Sequence, residues 1–211
     1  MRYPDLTKEE KVMSRIVARW VSDTGVSVPD SWWDQTQAVD GVVYHHHPNG
    51  GGWIAETAKV AETAFVGVNA RVYGDAQVYG NAQVYGNALV YGDAQVSGDA
   101  QVYGNAQVSG DAQVYGNAWV FGDARVFGDA QVSGDAQVYG NALVSGDAQV
   151  SGNALVSGDA QVSGDAQVYG NALVSGNALV HGNAQVSGNA LVFGNALVFG
   201  NARVDHGELT T

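Results

Sequence analysis

Six aspartates stand 18 residues apart along this chain: Asp75, Asp93, Asp111, Asp129, Asp147 and Asp165. Seven glutamines keep the same interval: Gln77, Gln95, Gln113, Gln131, Gln149, Gln167 and Gln185. A repeating fold brings side chains with one fixed interval into line, so these positions describe a row of carboxylates beside a row of carboxamides. Such a row attracts cations or a basic partner surface, while its members repel one another. It makes a poor calcium site, because that ion takes about six to eight oxygens in a cage. Other residues with chemical reach are sparse. His45-His46-His47 precede Pro48-Asn49-Gly50-Gly51-Gly52, and no second ligand cluster accompanies them as a metal site would need. His181 is the single His between Val60 and Val204. It fills a slot taken elsewhere by Tyr, Ser or Phe, with no acid partner on its strand, a poor setting for a general base. The chain has no Cys, which removes thiol nucleophiles, disulfides and Cys-ligated zinc. It also lacks a phosphate loop, a dinucleotide fingerprint and a Ser-centred elbow. No catalytic residue, no cofactor and no metal is expected.

The elements that position these rows follow from a period of six. An aliphatic residue recurs from Ile54 and Val60 without a break to Val204, giving 26 hexads. Ala stands two residues before each one from Val60 onward, and Gly stands two after each one from Val72 to Val198. Asp or Asn follows every such Gly, from Asp75 to Asn201. Ala and Val, two apart, share the inner face of a short strand, and the residues flanking Val point outward. Gly-Asn or Gly-Asp turns the chain, because these residues tolerate left-handed backbone angles. Helical periodicity is absent, so the array reads as a β-solenoid. The interval of 18 is three hexads, which predicts a three-faced coil. Twenty-six hexads then make about 8.7 coils, roughly 42 Å long at ~4.8 Å per coil.

The pattern resembles the hexapeptide-repeat left-handed β-helix family, in which an aliphatic residue is followed four later by a small one, as Val78 is by Ala82; the likeness covers residues 54–204. The resemblance implies an all-β solenoid, a three-sided left-handed parallel β-helix. It alone supplies the hand, since crossover chirality would favour the opposite one. The family includes trimeric acyltransferases with a His base and a pocket-building loop between coils, whereas the hexads here run unbroken. The low-complexity Tyr-Gly-Asn-Ala-Gln-Val run, introduced by Gly51-Gly52-Trp53-Ile54, is also similar to hexapeptide proteins encoded in phage and prophage genomes.

Three segments are expected: 1–52 as a small N-terminal helical cap or recognition segment, 53–204 as the β-helix, and 205–211 as a short tail. Thr7-Lys8-Glu9-Glu10 fits a capping box, and Val12, Ile16, Val17 and Trp20 share one face of a helix over about 8–22. Val42-Val43-Tyr44 reads as a strand. The first coil of a solenoid exposes strand edges that need cover, and Trp20, Trp32 and Trp33 could supply it. The other end offers no such cap, so end-to-end association is expected there.

Sorted by 18, the outward residues separate three faces. The Gln row shares its face with Tyr79, Ser97, Tyr115, Ser133, Ser151, Tyr169 and Ser187, and no Leu. Leu89, Leu143, Leu179 and Leu197 fall on a second face; Leu155, Leu173 and Leu191 fall on the third. Phe193 and Phe199 join them, and the corner between those two faces is mostly Asn. Leu143, Leu155, Leu173, Leu179, Leu191, Leu197, Phe193 and Phe199 form the expected seam of a homo-oligomer, dimer or trimer. The stretch Val72–Val204 holds ten Asp, two Arg and no Lys or Glu, a net of −8 out of −12 for the chain. That acidity disfavours direct nucleic-acid binding and suits a basic host protein. No apolar run reaches the roughly 18 residues of a membrane span, and no secretory h-region opens the chain, so a cytoplasmic protein is expected. Hydrophobic residues make up 45%, too many for a disordered chain despite 29 Gly. The functional expectation is a non-catalytic rigid scaffold or binding protein, phage-derived, with an apolar edge and an acidic, Gln-rich surface. Its rivals are an acidic mimic of nucleic acid that inhibits a host protein, and a degenerate acyltransferase-like protein.

Overall fold

The structure is a computed structural model that describes residues 37–39 and 42–210. The expected helix over 8–22 lies outside the described residues. Ala38–Thr211 form one unit, and a strand is described over Gln37–Val39.

Each hexad forms a strand of two or three residues ending on or just past its Val, such as Gln77–Val78, followed by a turn at Gly-Asn or Gly-Asp. Strands 18 residues apart pair in parallel and in register: Gln77 with Gln95, Val78 with Val96. This makes three parallel sheets, one per face, and nine coils. Sheet 1 contains Arg71–Val72, Leu89–Val90 and their successors to Leu197–Val198. Sheet 2 runs from Lys59–Val60 to Arg203–Val204 and carries the Gln row; sheet 3 starts at Phe65–Val66.

The core is a column of Val and Ala. From Ala64 to Val198 both inward positions of every hexad are essentially inaccessible to water. Small residues suit a core where three sheets meet within one short coil, and the larger Ile54 is buried in the first coil. The turn explains the Gly row. Gly128 has φ +72°, and a Cβ on it would stand 3.0 Å from the Gly146 nitrogen of the next coil. A side chain there would meet both a strained backbone and its neighbour.

Both ends differ from the plain hexad pattern. The strand expected at Val42-Val43-Tyr44 extends through His46 and pairs antiparallel with Trp53–Ala55, the first sheet 1 strand of the coils. The loop between them reaches sheet 3, where Val66 N–H donates to Asn49 O (3.0 Å) and Gly52 N–H to Val66 O (2.8 Å). A His-containing hairpin therefore covers two edges of the first coil. At the other end, the segment expected as a tail makes one more strand. Glu208–Thr210 joins sheet 3 beside Leu191–Phe193, with Leu191 opposite Glu208 and Val192 opposite Leu209. The last coil is thus one residue short of 18, so its strand falls outside the hexad period.

Candidate functional site

The six aspartates line the corner between sheets 1 and 2, and all are exposed. The coil spacing beside them is seen in Tyr73 and Tyr91, two residues before Asp75 and Asp93, whose rings stack 4.9 Å apart at 2°. At that distance each neighbouring pair of carboxylates repels by about 1 kcal/mol in water.

The other two corners handle Asp differently. There, the carboxamide of an Asn donates to the residue one coil ahead: Asn81 Nδ2 to Asp99 Oδ1 (3.1 Å), Asn105 to Asp123 (2.9 Å), Asn117 to Asp135 (2.9 Å) and Asn141 to Asp159 (2.8 Å). Every Asp on those corners thus accepts from an Asn of the preceding coil, and none follows another Asp. The backbone ties these corners too, for Asn81 N–H donates to Gly98 O and Asp99 N–H to Gly116 O, both at 2.8 Å. On the acidic corner only Asp93 makes the equivalent bond, to Gly110 O (2.9 Å), among the described residues. An Asp row offers acceptors and no donors, so no side-chain ladder forms until Asn183 donates to Asn201 (3.2 Å). Among the described residues, the fold leaves six carboxylates in a row with neither neutralising donor nor partner.

The Leu residues divide unequally. On sheet 3, Leu155, Leu173 and Leu191 occupy consecutive rungs and are half-buried. On sheet 1, Leu143 is separated from Leu179 by Gln161, so the Leu row there is broken. Leu179 and Leu197 then pair, and Leu197 and Phe199 are each 58% exposed at the last strand of that sheet. Phe193 is half-buried beside Leu191. His181 stacks on Phe199, ring centroids 5.7 Å apart, which makes it a rung of this aromatic and apolar end.

An aromatic ladder on sheet 3 adds to the rows expected from the sequence. Tyr85, Tyr103, Phe121 and Tyr139 stack in order at 4.8–4.9 Å, with planes within 6°. The same interval of 18 marks them, but the change from Tyr to Phe blurs the row beside the uniform Asp and Gln rows. The hydroxyl of Tyr85 donates to Gln101 Oε1 (3.1 Å), and that of Tyr79 to Gln77 and Gln95 (3.1 and 3.2 Å), tying coils together. Burial raises the pKa of Tyr73, Tyr85 and Tyr103, and ring neighbours add to the effect at Tyr73 and Tyr103. A shallow depression of about 440 Å³, floored by Phe65, Gly67, Val68 and Tyr85, opens where this ladder begins.

The His run serves the hairpin. His46 Nδ1–H donates to Gly51 O (2.6 Å), and its ring lies 3.8 Å from that of Trp53. His47 is buried, 4% exposed, and its Nδ1 accepts from the Asn49 amide (3.3 Å). Burial, then the neighbouring His47 and His46, lowers the pKa of His45. Among the described residues, no three His, Asp or Glu side chains gather as a metal would require. No helix among them is long and apolar enough to cross a membrane.

The model of the YdcK beta solenoid repeat matches residues 82–98, 100–116, 112–128, 136–150, 148–164, 166–182 and 184–200. No curated protein matches the chain.

Proposed function

The chain belongs to the YdcK β-solenoid repeat family, and from that premise we propose that it is a non-catalytic rigid scaffold, self-associating through its apolar edge and turning its acidic corner toward a basic partner. The observation that carries the reading is the run Leu155, Leu173, Leu191 on consecutive rungs, continued around the Asn corner by Leu179, Leu197 and Phe199. A strip of this kind loses water on meeting a second copy, at about 25 cal/mol per Å² buried, and two or three copies fit the proposal. Left-handed winding and a phage or prophage source belong to the same proposal; both rest on the likeness of the repeat. The test is mass in solution. Glu substitutions at Leu173, Leu191 and Leu197 together give the monomer mass in sedimentation equilibrium; an unchanged mass defeats the proposal.

The unladdered acidic corner favours a second reading, in which the row of charge imitates nucleic acid toward a basic host protein. Asn at Asp93, Asp111, Asp129 and Asp147 would abolish capture of such a protein while leaving the solenoid's circular dichroism intact. Capture undiminished by those changes counts against it.

A further inference from the structure

We propose that Asn49 is a site of spontaneous deamidation, and that its conversion unclips the hairpin from the first coil. Of the fourteen Asn in the chain, Asn49 alone is followed by Gly; the other thirteen precede Ala. Glycine leaves the following backbone nitrogen unhindered, because it has no Cβ. The Gly50 N–H donates to no backbone carbonyl among the described residues, and Asn49 is exposed to water. In the reaction the Gly50 nitrogen attacks Asn49 Cγ and an N–Cγ bond forms. The bond from Cγ to the amide nitrogen breaks, and the proton lost from Gly50 leaves with that nitrogen as ammonia. Water then opens the cyclic imide at either carbonyl, giving aspartate or isoaspartate at position 49. No other reactant is needed.

The fold cannot dispose of this labile pair. Gly50 has φ +114°, and a Cβ there would lie 2.3 Å from Val66 O, so position 50 must be Gly. Position 49 needs a carboxamide, because Asn49 Nδ2 donates to Ala64 O (2.9 Å) and to Thr63 O (3.5 Å). A carboxylate in its place has no proton to give and faces two carbonyl oxygens. Isoaspartate also lengthens the main chain by one carbon, displacing the Asn49 carbonyl from Val66 N–H and, with it, the Gly52 bond to Val66 O. The sheet 3 edge at Phe65–Val66 then loses its cover, and an uncovered edge is a template for another strand.

The experiment ages the full chain in warm, mildly alkaline buffer beside Asn49→Gln and Asn49→Asp variants, and follows peptide masses and amide hydrogen exchange. The expected result is one amide-to-acid mass gain per chain, in the peptide holding Asn49 and missing from Asn49→Gln. Aged protein and Asn49→Asp both exchange faster at Val66 and Gly52, while Val132 and Val156 stay protected. The proposal is overturned by gains spread over the Gly-Asn-Ala turns, by none at Asn49, or by unchanged exchange at Val66 in Asn49→Asp. Loss of protection throughout the coils in that variant overturns it equally, since the clip is local.

Discussion

Asn141 Nδ2 donates to Asp159 Oδ1 across one coil, 2.8 Å away, and so gives a corner carboxylate the donor that the acidic corner never supplies. Asn and Asp are nearly isosteric, so exchanging them isolates this relationship. Asn141→Asp loses the bond and puts a carboxylate between Asp123 and Asp159, three in a row one coil apart, which costs about 2–3 kcal/mol of stability. Asp129→Asn has the opposite sign: it gains a donor toward Asp147 and relieves repulsion with Asp111, for about 0.5–1 kcal/mol of stabilisation. Thermal unfolding of both variants at low salt should order them on either side of the native protein. Added salt should narrow the gap by screening the repulsive part. The same sign for both substitutions would refute the account.

The turn row predicts a second contrast. Gly128→Ala combines a φ of +72° with a Cβ 3.0 Å from the next coil's backbone. Gly200→Ala has φ +65° but nothing within 4 Å. The latter should cost about 1–2 kcal/mol for the left-handed backbone alone, and Gly128→Ala should cost clearly more. Denaturant midpoints measure both; equal costs would mean that coil contact contributes nothing.

Val132 is fully enclosed, whereas Val204 is only half-buried at the end of sheet 2. Val132→Ala should cost about 2–3 kcal/mol, as lost transfer energy plus the void left in a core with no larger residue to collapse into it. Val204→Ala should cost less than half of that. Chemical denaturation read by circular dichroism distinguishes the two.

Acid should loosen the covering hairpin before the coils. His45 has its pKa lowered, mainly by burial, so the unfolded chain takes up the proton at a higher pH than the folded one. The stability it contributes is complete above the ordinary histidine value of about 6.5 and is lost as pH falls through the folded value. The protection factor of the Glu56 amide, which donates to Val43 O (2.9 Å), should fall on mild acidification once the slower intrinsic exchange at lower pH is divided out, while Val132 keeps its protection. His45→Gln should abolish the pH dependence; if it persists unchanged, another group is responsible.

Much of the fold was legible in the residues. The spacing of Val78 and Val84 declared the strands, Gly74 and Gly80 the corners, and the interval from Asp75 to Asp93 the number of faces. The Leu rows were legible as well, down to Gln161 midway between Leu143 and Leu179, but not their unequal cover, with Leu191 half-buried and Leu197 exposed. The strand Glu208–Thr210 was not legible, since losing one residue from the last coil erases the period while leaving the pairing possible. Nor was the hairpin clip, for nothing in Asn49 itself says that it will lie against Ala64 O.

Sequence alone determined the coil: six residues per strand and turn, a core of Val and Ala, and Gly at each bend. These follow from properties of single residues, namely burial and backbone freedom, which repetition makes unmistakable. Tertiary stacking alone decided which atoms meet between coils. It made Asn105 a donor to Asp123, placed Tyr103 against Phe121, left the row from Asp75 to Asp165 without a side-chain donor among the described residues, and set Asn49 beside Ala64. Those outcomes depend on hydrogen-bond and ring distances of roughly 3–5 Å, which exist only after one coil has settled on the next.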